Sequence, residues 1–181
     1  MPRSQMNWAT MEGNQLIAEQ LAYDHNVLQQ RVAQTVPTLN AEQKGIHDEV
    51  LETSVDFGQG HREAFFVHSA GGCGKTYVCN LIAAAVRAKE KIVLCVASSG
   101  IASLLLSGGC TAHSHFKIPI PIHEGSTCNI KKGDPWHELL HQASLIIWDE
   151  VPMQNRYAIE CVDRSLRDLL DVDDDFGGIP V

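Results

Sequence analysis

The run Ala70-Gly71-Gly72-Cys73-Gly74-Lys75-Thr76 collects the residue types that hold a polyphosphate. Its glycines let the backbone curl so that successive N–H groups point inward at phosphate oxygens. Lys75 is placed to reach the β and γ phosphates, and Thr76 offers a hydroxyl to magnesium. A glycine-rich turn with an exposed lysine is the plain alternative, so context matters. An apolar run, Ala64-Phe65-Phe66-Val67, precedes the loop and a helical pattern over Thr76–Lys89 follows it. The loop is therefore expected to run from a buried strand onto a helix N-terminus, whose dipole favours anions. The pattern departs at one point, because Ser69 stands where a glycine is expected, five positions before Gly74. A left-handed backbone there would cost on the order of 1 kcal/mol.

The second reactive feature is Leu145-Ile146-Ile147-Trp148-Asp149-Glu150, an apolar run ending in two carboxylates. In a parallel sheet the end of such a strand lies beside the phosphate loop. Asp149 is then expected to hold magnesium through water, and Glu150 to polarise the water that attacks the γ phosphate. Adjacent carboxylates at a strand end are also common as an exposed turn. The phosphate loop gives them a task, and ATP with Mg2+ are the cofactors implied.

Other reactive side chains point to less. The six cysteines, Cys73, Cys79, Cys95, Cys110, Cys128 and Cys161, form no CxxC pair and no dense cluster, and no signal-peptide pattern opens the chain. Reduced thiols in an intracellular protein are expected. Cys73 reads as a small side chain in the loop, or as an oxidisable thiol beside phosphate. His113 with His115, and His137 with His141 at helical spacing, lack a third ligand, which argues against zinc.

These groups must be carried by a scaffold, and the periodicity describes one. Asn14–Leu28 is a helical patch in a polar, amide-rich leader, and Pro37 ends the leader. Asn40 with Gln43 three residues later has the form of a capping box opening a helix through about Leu51. Gly58-Gln59-Gly60 is a loop. Lys91–Ala97 and Ser144–Trp148 are buried strands, Gly100–Leu106 is a short helix, and Asn155–Leu170 is the final helix. Residues 107–135, rich in Gly, Pro, His and Lys, form an ordered excursion. Strands alternating with helices imply an α/β fold, a parallel sheet with helices on both faces. There is no internal repeat.

Composition sets limits on what this scaffold meets. With 181 residues the chain has room for one domain and a modest extension. Its 44% hydrophobic and 20% charged content exclude a wholly disordered chain or a fibre. The net charge of -8 repels phosphate at long range, yet residues 61–112 hold five Lys/Arg against two Asp/Glu. A polyanion would meet that middle. Aromatic content of 6% limits any broad base-stacking platform. The longest apolar stretches are far shorter than the roughly 20 residues of a membrane-spanning helix, so no membrane partner is expected.

Four ordered blocks resemble a known family. They are Phe65 to Thr76, Val96-Ala97-Ser98-Ser99-Gly100-Ile101-Ala102, Thr111-Ala112-His113-Ser114-His115-Phe116-Lys117-Ile118-Pro119, and Trp148-Asp149-Glu150-Val151-Pro152-Met153. They are similar to the Pif (petite integration frequency) DNA helicases of superfamily one, and to those of Helitron rolling-circle transposons in particular. The resemblance covers most of residues 14–181. It implies a RecA-like P-loop NTPase that hydrolyses ATP with magnesium and moves along single-stranded DNA from five prime toward three prime. It further implies family roles in DNA repair after damage, recombination and telomere maintenance, in the nucleus. On this likeness residues 1–38 are an N-terminal, partly helical extension and residues 39–181 a first RecA-like ATPase domain, truncated at its C-terminal end.

The resemblance also distributes roles. Gln43 matches the adenine-reading glutamine, although a glutamine in a capping box is common for its own reasons. Ala70, Gly71, Gly72, Cys73, Gly74, Lys75 and Thr76 match the nucleotide loop, with Lys75 and Glu150 catalytic and Thr76 and Asp149 at the metal. Ser98 and Ser99 match positions that touch the DNA backbone, or cap a helix. His113 and Phe116 match the DNA-contacting loop, with Lys117, Lys131 and Lys132 supplying charge, or pack locally. A second RecA-like domain, its arginine fingers and a phosphate-sensing glutamine are not in this sequence, so a monomer that does not unwind by itself is expected. A stand-alone P-loop NTPase or nucleotide kinase, and a degenerate transposon-derived fragment serving as an interaction module, are the alternatives.

Overall fold

Three parallel strands, β1 (Ile92–Ala97), β2 (Cys110–Thr111) and β3 (Ala143–Asp149), pair in the order β2-β1-β3. Every residue of β1 is buried. Because successive side chains on a strand point to opposite faces, an all-apolar strand needs cover on both sides. Val93, Cys95 and Ala97 of β1 join Leu145 and Ile147 of β3 in one core cluster, with Val50, Val78, Ile82 and Val86. Ile92, Leu94 and Val96 join Ile146 in the other, with Leu139, Leu140, Val162 and Leu166. The α/β architecture with helices on both faces is thus borne out. The computed structural model describes residues 8–55 and 64–181. The expected loop Gly58-Gln59-Gly60 lies outside the described residues.

The helices are α1 (Trp8–Leu21), α2 (His25–Thr35), α3 (Ala41–Val55), α4 (Lys75–Arg87), α5 (Gly100–Ser103), α6 (Ala112–His115), α7 (Pro135–Gln142) and α8 (Arg156–Leu170). Among the described residues no helix is long and apolar enough to cross a membrane. Side-chain caps account for most helix starts. Asp24 accepts from the N–H groups of Asn26 and Val27, which breaks the patch expected over Asn14–Leu28 into two helices. Asn155 caps α8 by accepting from Tyr157 N, and Ser99 caps α5 by accepting from Ala102 N. The Gly100–Leu106 segment is regular only to Ser103, continuing as turns in which Leu105 N donates to Ala102 O and Leu106 N to Ser103 O.

Helices α3 and α4 supply the first core cluster with Val50 and Val78, and α7 and α8 supply the second with Leu139 and Val162. The leader does not hang free. Leu16 and Ile17 of α1 pack against the second cluster, α1 lies on α7, and α2 lies on α4.

One expected element is corrected. Ala64–Val67 is not a strand, and Phe66 is 73% exposed. Phe65 N donates to Val181 O at 2.7 Å, while Ile146 N of β3 donates to Pro180 O at 2.9 Å. Pro180 and Val181 therefore lie between the segment and β3. With these residues in between, the run forms no direct ladder with β3. Above them a cavity of about 340 Å³ separates Phe65, Phe66 and Val67 from Ile147 and Trp148.

Candidate nucleotide site

Residues 70–74 turn directly into α4, as the glycine pattern requires. Gly72 and Gly74 have φ of 81° and 82°, a left-handed conformation that glycine adopts without steric cost. Ser69 is not among the left-handed residues, so the expected strain does not arise. Its carbonyl is used instead. Lys75 Nζ donates to Ser69 O at 2.8 Å and to Ala70 O at 3.1 Å, folding the ammonium back along the loop. The first turn of α4 directs its N–H groups toward the same space, since a helix start has no internal acceptor for them. Beneath the loop, burial and then the Asp149 charge push the Cys79 thiol up to about 12, which keeps it protonated.

The acidic pair meets the loop. Thr76 Oγ1 donates to Asp149 Oδ2 at 3.2 Å, although 73 residues separate them. Asp149 Oδ1 accepts from Glu150 N at 2.9 Å. Glu150 itself sits at φ 56°, ψ 34°, a strained position for a non-glycine residue that costs on the order of 1 kcal/mol or more. Its carboxylate is held, with Ser99 Oγ donating to Glu150 Oε2 at 3.1 Å. Ser98 N donates to Asp149 O at 3.1 Å, and Trp148 Nε1 donates to Ser98 Oγ at 3.3 Å. These contacts follow from register, because Ala97 of β1 pairs with Asp149 of β3, so the residues beyond the two strands emerge side by side. Ser99 as the holder of Glu150 escapes a reading of either block alone. Knowing that both blocks end adjacent parallel strands would have found it.

The hydroxyl of Thr76 and the carboxylate of Asp149 are hard oxygen donors converging at 3.2 Å, the donor set a magnesium ion takes together with phosphate oxygens and water. Among the described residues no three His, Cys, Asp or Glu side chains group as a metal centre. His137 is used in packing, accepting from Gly133 N at Nδ1 and lying 3.0 Å from Leu169 O at Nε2.

The residues matched to a DNA-contacting loop separate into different roles. Phe116 is corrected, since it is 1% exposed, its ring centroid 5.8 Å from that of Trp148 and 5.3 Å from that of His115. A ring so enclosed cannot stack on a base, and it supports the loop from within. His113 is half-buried with Nδ1 at 3.2 Å from Gln154 Nε2. Lys117 places its ammonium 4.3 Å from the centre of the Trp136 ring. Lys132 is taken up by Asp171 at 2.6 Å. Gln43 lies against the phosphate loop, its Nε2 donating to Cys73 O at 3.2 Å.

Known proteins are similar to this chain in sequence and fold. An ATP-dependent DNA helicase Pif1 from Psychrobacter sp. is 30% identical over 131 residues, which are 71% of this chain and 20% of the relative. ATP-dependent DNA helicase PIF4 of Trypanosoma brucei brucei is 29% identical, over 71% of this chain and 17% of its own length. This chain thus spans about a fifth of the length of these curated relatives. Bacteroides Pif1 bound to ssDNA matches with a TM-score of 0.63 at 30% identity, over 79% of this chain and 30% of that one. The same helicase in complex with ADP-AlF3 and ssDNA matches with a TM-score of 0.64 at 30% identity, over 79% of this chain and 31% of that one. These neighbours share the RecA-like α/β core. The model that describes PIF1-like helicases matches residues 38–181, a span that holds the phosphate loop, the acidic pair and the strands that join them, and the chain belongs to the PIF1-like helicase family.

Proposed function

We propose that this chain is the nucleotide-binding part of an ATP-dependent DNA helicase, capturing ATP with magnesium and coupling its hydrolysis to movement on single-stranded DNA. The reading rests on one observation above all, the 3.2 Å approach of Thr76 Oγ1 to Asp149 Oδ2. That approach sets the phosphate loop and the acidic pair at one cleft.

Each group then has a task. The N–H groups of Gly71–Lys75 enclose the phosphates, and Lys75 exchanges the carbonyls of Ser69 and Ala70 for phosphate oxygens. Thr76 and Asp149 hold the ion, which neutralises phosphate charge when bound. Glu150, steadied by Ser99, orients the attacking water. Single-stranded DNA runs past Ser98, Ser99, His113 and Lys117, held by its backbone as in sequence-blind binding. Movement from five prime toward three prime, and service in repair, recombination and telomere maintenance in the nucleus, complete the proposal by family likeness. Strand separation is assigned to a longer protein, because the part of this chain that matches the relatives covers only 20% and 17% of their length.

The deciding experiment is equilibrium binding of labelled ATP with Mg2+ to the wild type and to Lys75→Ala. The variant is expected to bind at least tenfold more weakly, in line with loss of a charge-assisted contact. Equal affinities would remove the nucleotide assignment.

A further inference from the structure

We propose that Gln154 is a positioning residue for His113, fixing the ring so that its Nε2–H faces a phosphate of single-stranded DNA. The inference rests on the DNA reading above and deepens it, by naming how one contact with that strand is prepared.

Its ground is a bond between two blocks that the sequence keeps apart. Gln154 Nε2 lies 3.2 Å from His113 Nδ1, across 41 residues. An amide nitrogen donates and does not accept, so the ring nitrogen is the acceptor. Nδ1 has a single in-plane lone pair, and this bond occupies it. In a neutral imidazole the proton then sits on Nε2, because the bond made by one ring nitrogen settles the state of the other. Among the described residues Nε2 takes no protein partner and is not shut off from solvent. The ring therefore presents one N–H donor outward, and a phosphate oxygen accepts from such a donor in a charge-assisted bond.

Backbone bonds anchor both ends of the tie. On one side Thr111 Oγ1 accepts from Ser114 N at 3.2 Å and His113 O accepts from Ile118 N at 3.1 Å, which fixes α6. On the other, Met153 N donates to Glu150 O and Gln154 N to Val151 O, both at 2.9 Å, in the turn that follows the acidic pair. Asn155 then caps α8. Without the Gln154 amide the ring is free to turn about its side-chain bonds and to divide its proton between two nitrogens. A strand that binds it must then bear the cost of ordering it.

The test measures binding of a labelled oligothymidine, by fluorescence anisotropy, to four proteins. They are the wild type, Gln154→Met, which keeps the length without the amide, His113→Ala, and the double variant. Gln154→Met is expected to bind about threefold more weakly, the cost of ordering one side chain. Its slope against salt stays as in the wild type, because no charge is lost. The double variant is expected to bind no more weakly than His113→Ala, since Gln154 acts only through the ring. No loss in Gln154→Met, or losses that add in the double variant, overturns the proposal. A second measurement works without DNA. Nitrogen NMR of the His113 ring at about pH 8, where an ordinary histidine is neutral, is expected to place the proton on Nε2 in the wild type and to spread it over both nitrogens in Gln154→Met. A proton on Nδ1 in the wild type, or ring signals unchanged in the variant, overturns the proposal as well. If the wild type binds no oligothymidine, the DNA reading fails, and the ring signals still decide whether Gln154 sets the proton.

Discussion

His115 is a histidine that folding keeps neutral. It is enclosed by the rings of Phe116 and Trp136, with centroids 5.3 and 5.1 Å away, and its Nδ1 lies 3.1 Å from Cys110 Sγ. Burial, with the charge of Lys117 behind it, lowers its pKa from 6.5 to about 4. The unfolded chain therefore takes up this proton below about pH 6.5, and the folded chain only near pH 4. The stability this neutral ring confers is full above the unfolded value and is lost as pH falls through that window, by about 3 kcal/mol. Urea midpoints should fall between pH 6.5 and 4 by more than in His115→Leu, and an identical pH slope in the variant would refute the assignment. At the cleft, the donors Thr76 and Asp149 predict that EDTA weakens ATP binding severalfold in the wild type. In Asp149→Asn the difference between EDTA and Mg2+ should largely vanish.

At the scale of elements, Arg87 fastens the N-terminal helices to the body. It is 2% exposed at the end of α4, with Nη1 donating to Ser107 O at 2.9 Å and Nη2 to Val93 O at 3.2 Å. Its guanidinium lies 4.4 Å from the centre of the Tyr23 ring, and His25 Nδ1 donates to Arg87 O at 2.8 Å. Gly108 makes room for this arrangement, since a Cβ there would come within 2.4 Å of the Tyr23 hydroxyl. Truncating Arg87 strands the buried carbonyl of Val93, releases the part-buried one of Ser107 and opens a void. Arg87→Ala is expected to lose about 3 kcal/mol or more in urea unfolding, and Tyr23→Ala about 1 to 2 kcal/mol. Hydrogen exchange should show α2 released in both variants.

The molecule as a whole carries a charge of -8, and the residues proposed to meet DNA offer few free cations. Lys132 is paired with Asp171, which leaves Lys117, still charged over the Trp136 ring, and the exposed Lys131, so electrostatic attraction to a strand is modest. Binding of an oligonucleotide should weaken with salt along a shallow line, with log K against log salt no steeper than about -2, the slope of roughly three single-strand phosphate contacts. Fluorescence anisotropy across a salt series measures this. A slope beyond about -4 would require a larger basic surface than these lysines provide.

The sequence by itself determined what is local. The loop from Ala70 to Thr76, the capping box of Asn40 and Gln43, the helix opened by Asn155 and the buried strands around Val93 and Ile146 were legible in it. Each depends on backbone sterics, glycine conformations or hydrogen bonds within one turn of chain. Tertiary structure decided the partners. It set Pro180 and Val181 between the Ala64–Val67 run and β3, sealed Phe116 inside, and carried Gln43 to a carbonyl 30 residues away and Ser99 to a carboxylate 51 residues away. Such meetings follow from which strands pair and in what register, and from helices covering both faces of the sheet. No short stretch of residues holds that information, because it belongs to the packing of the whole chain.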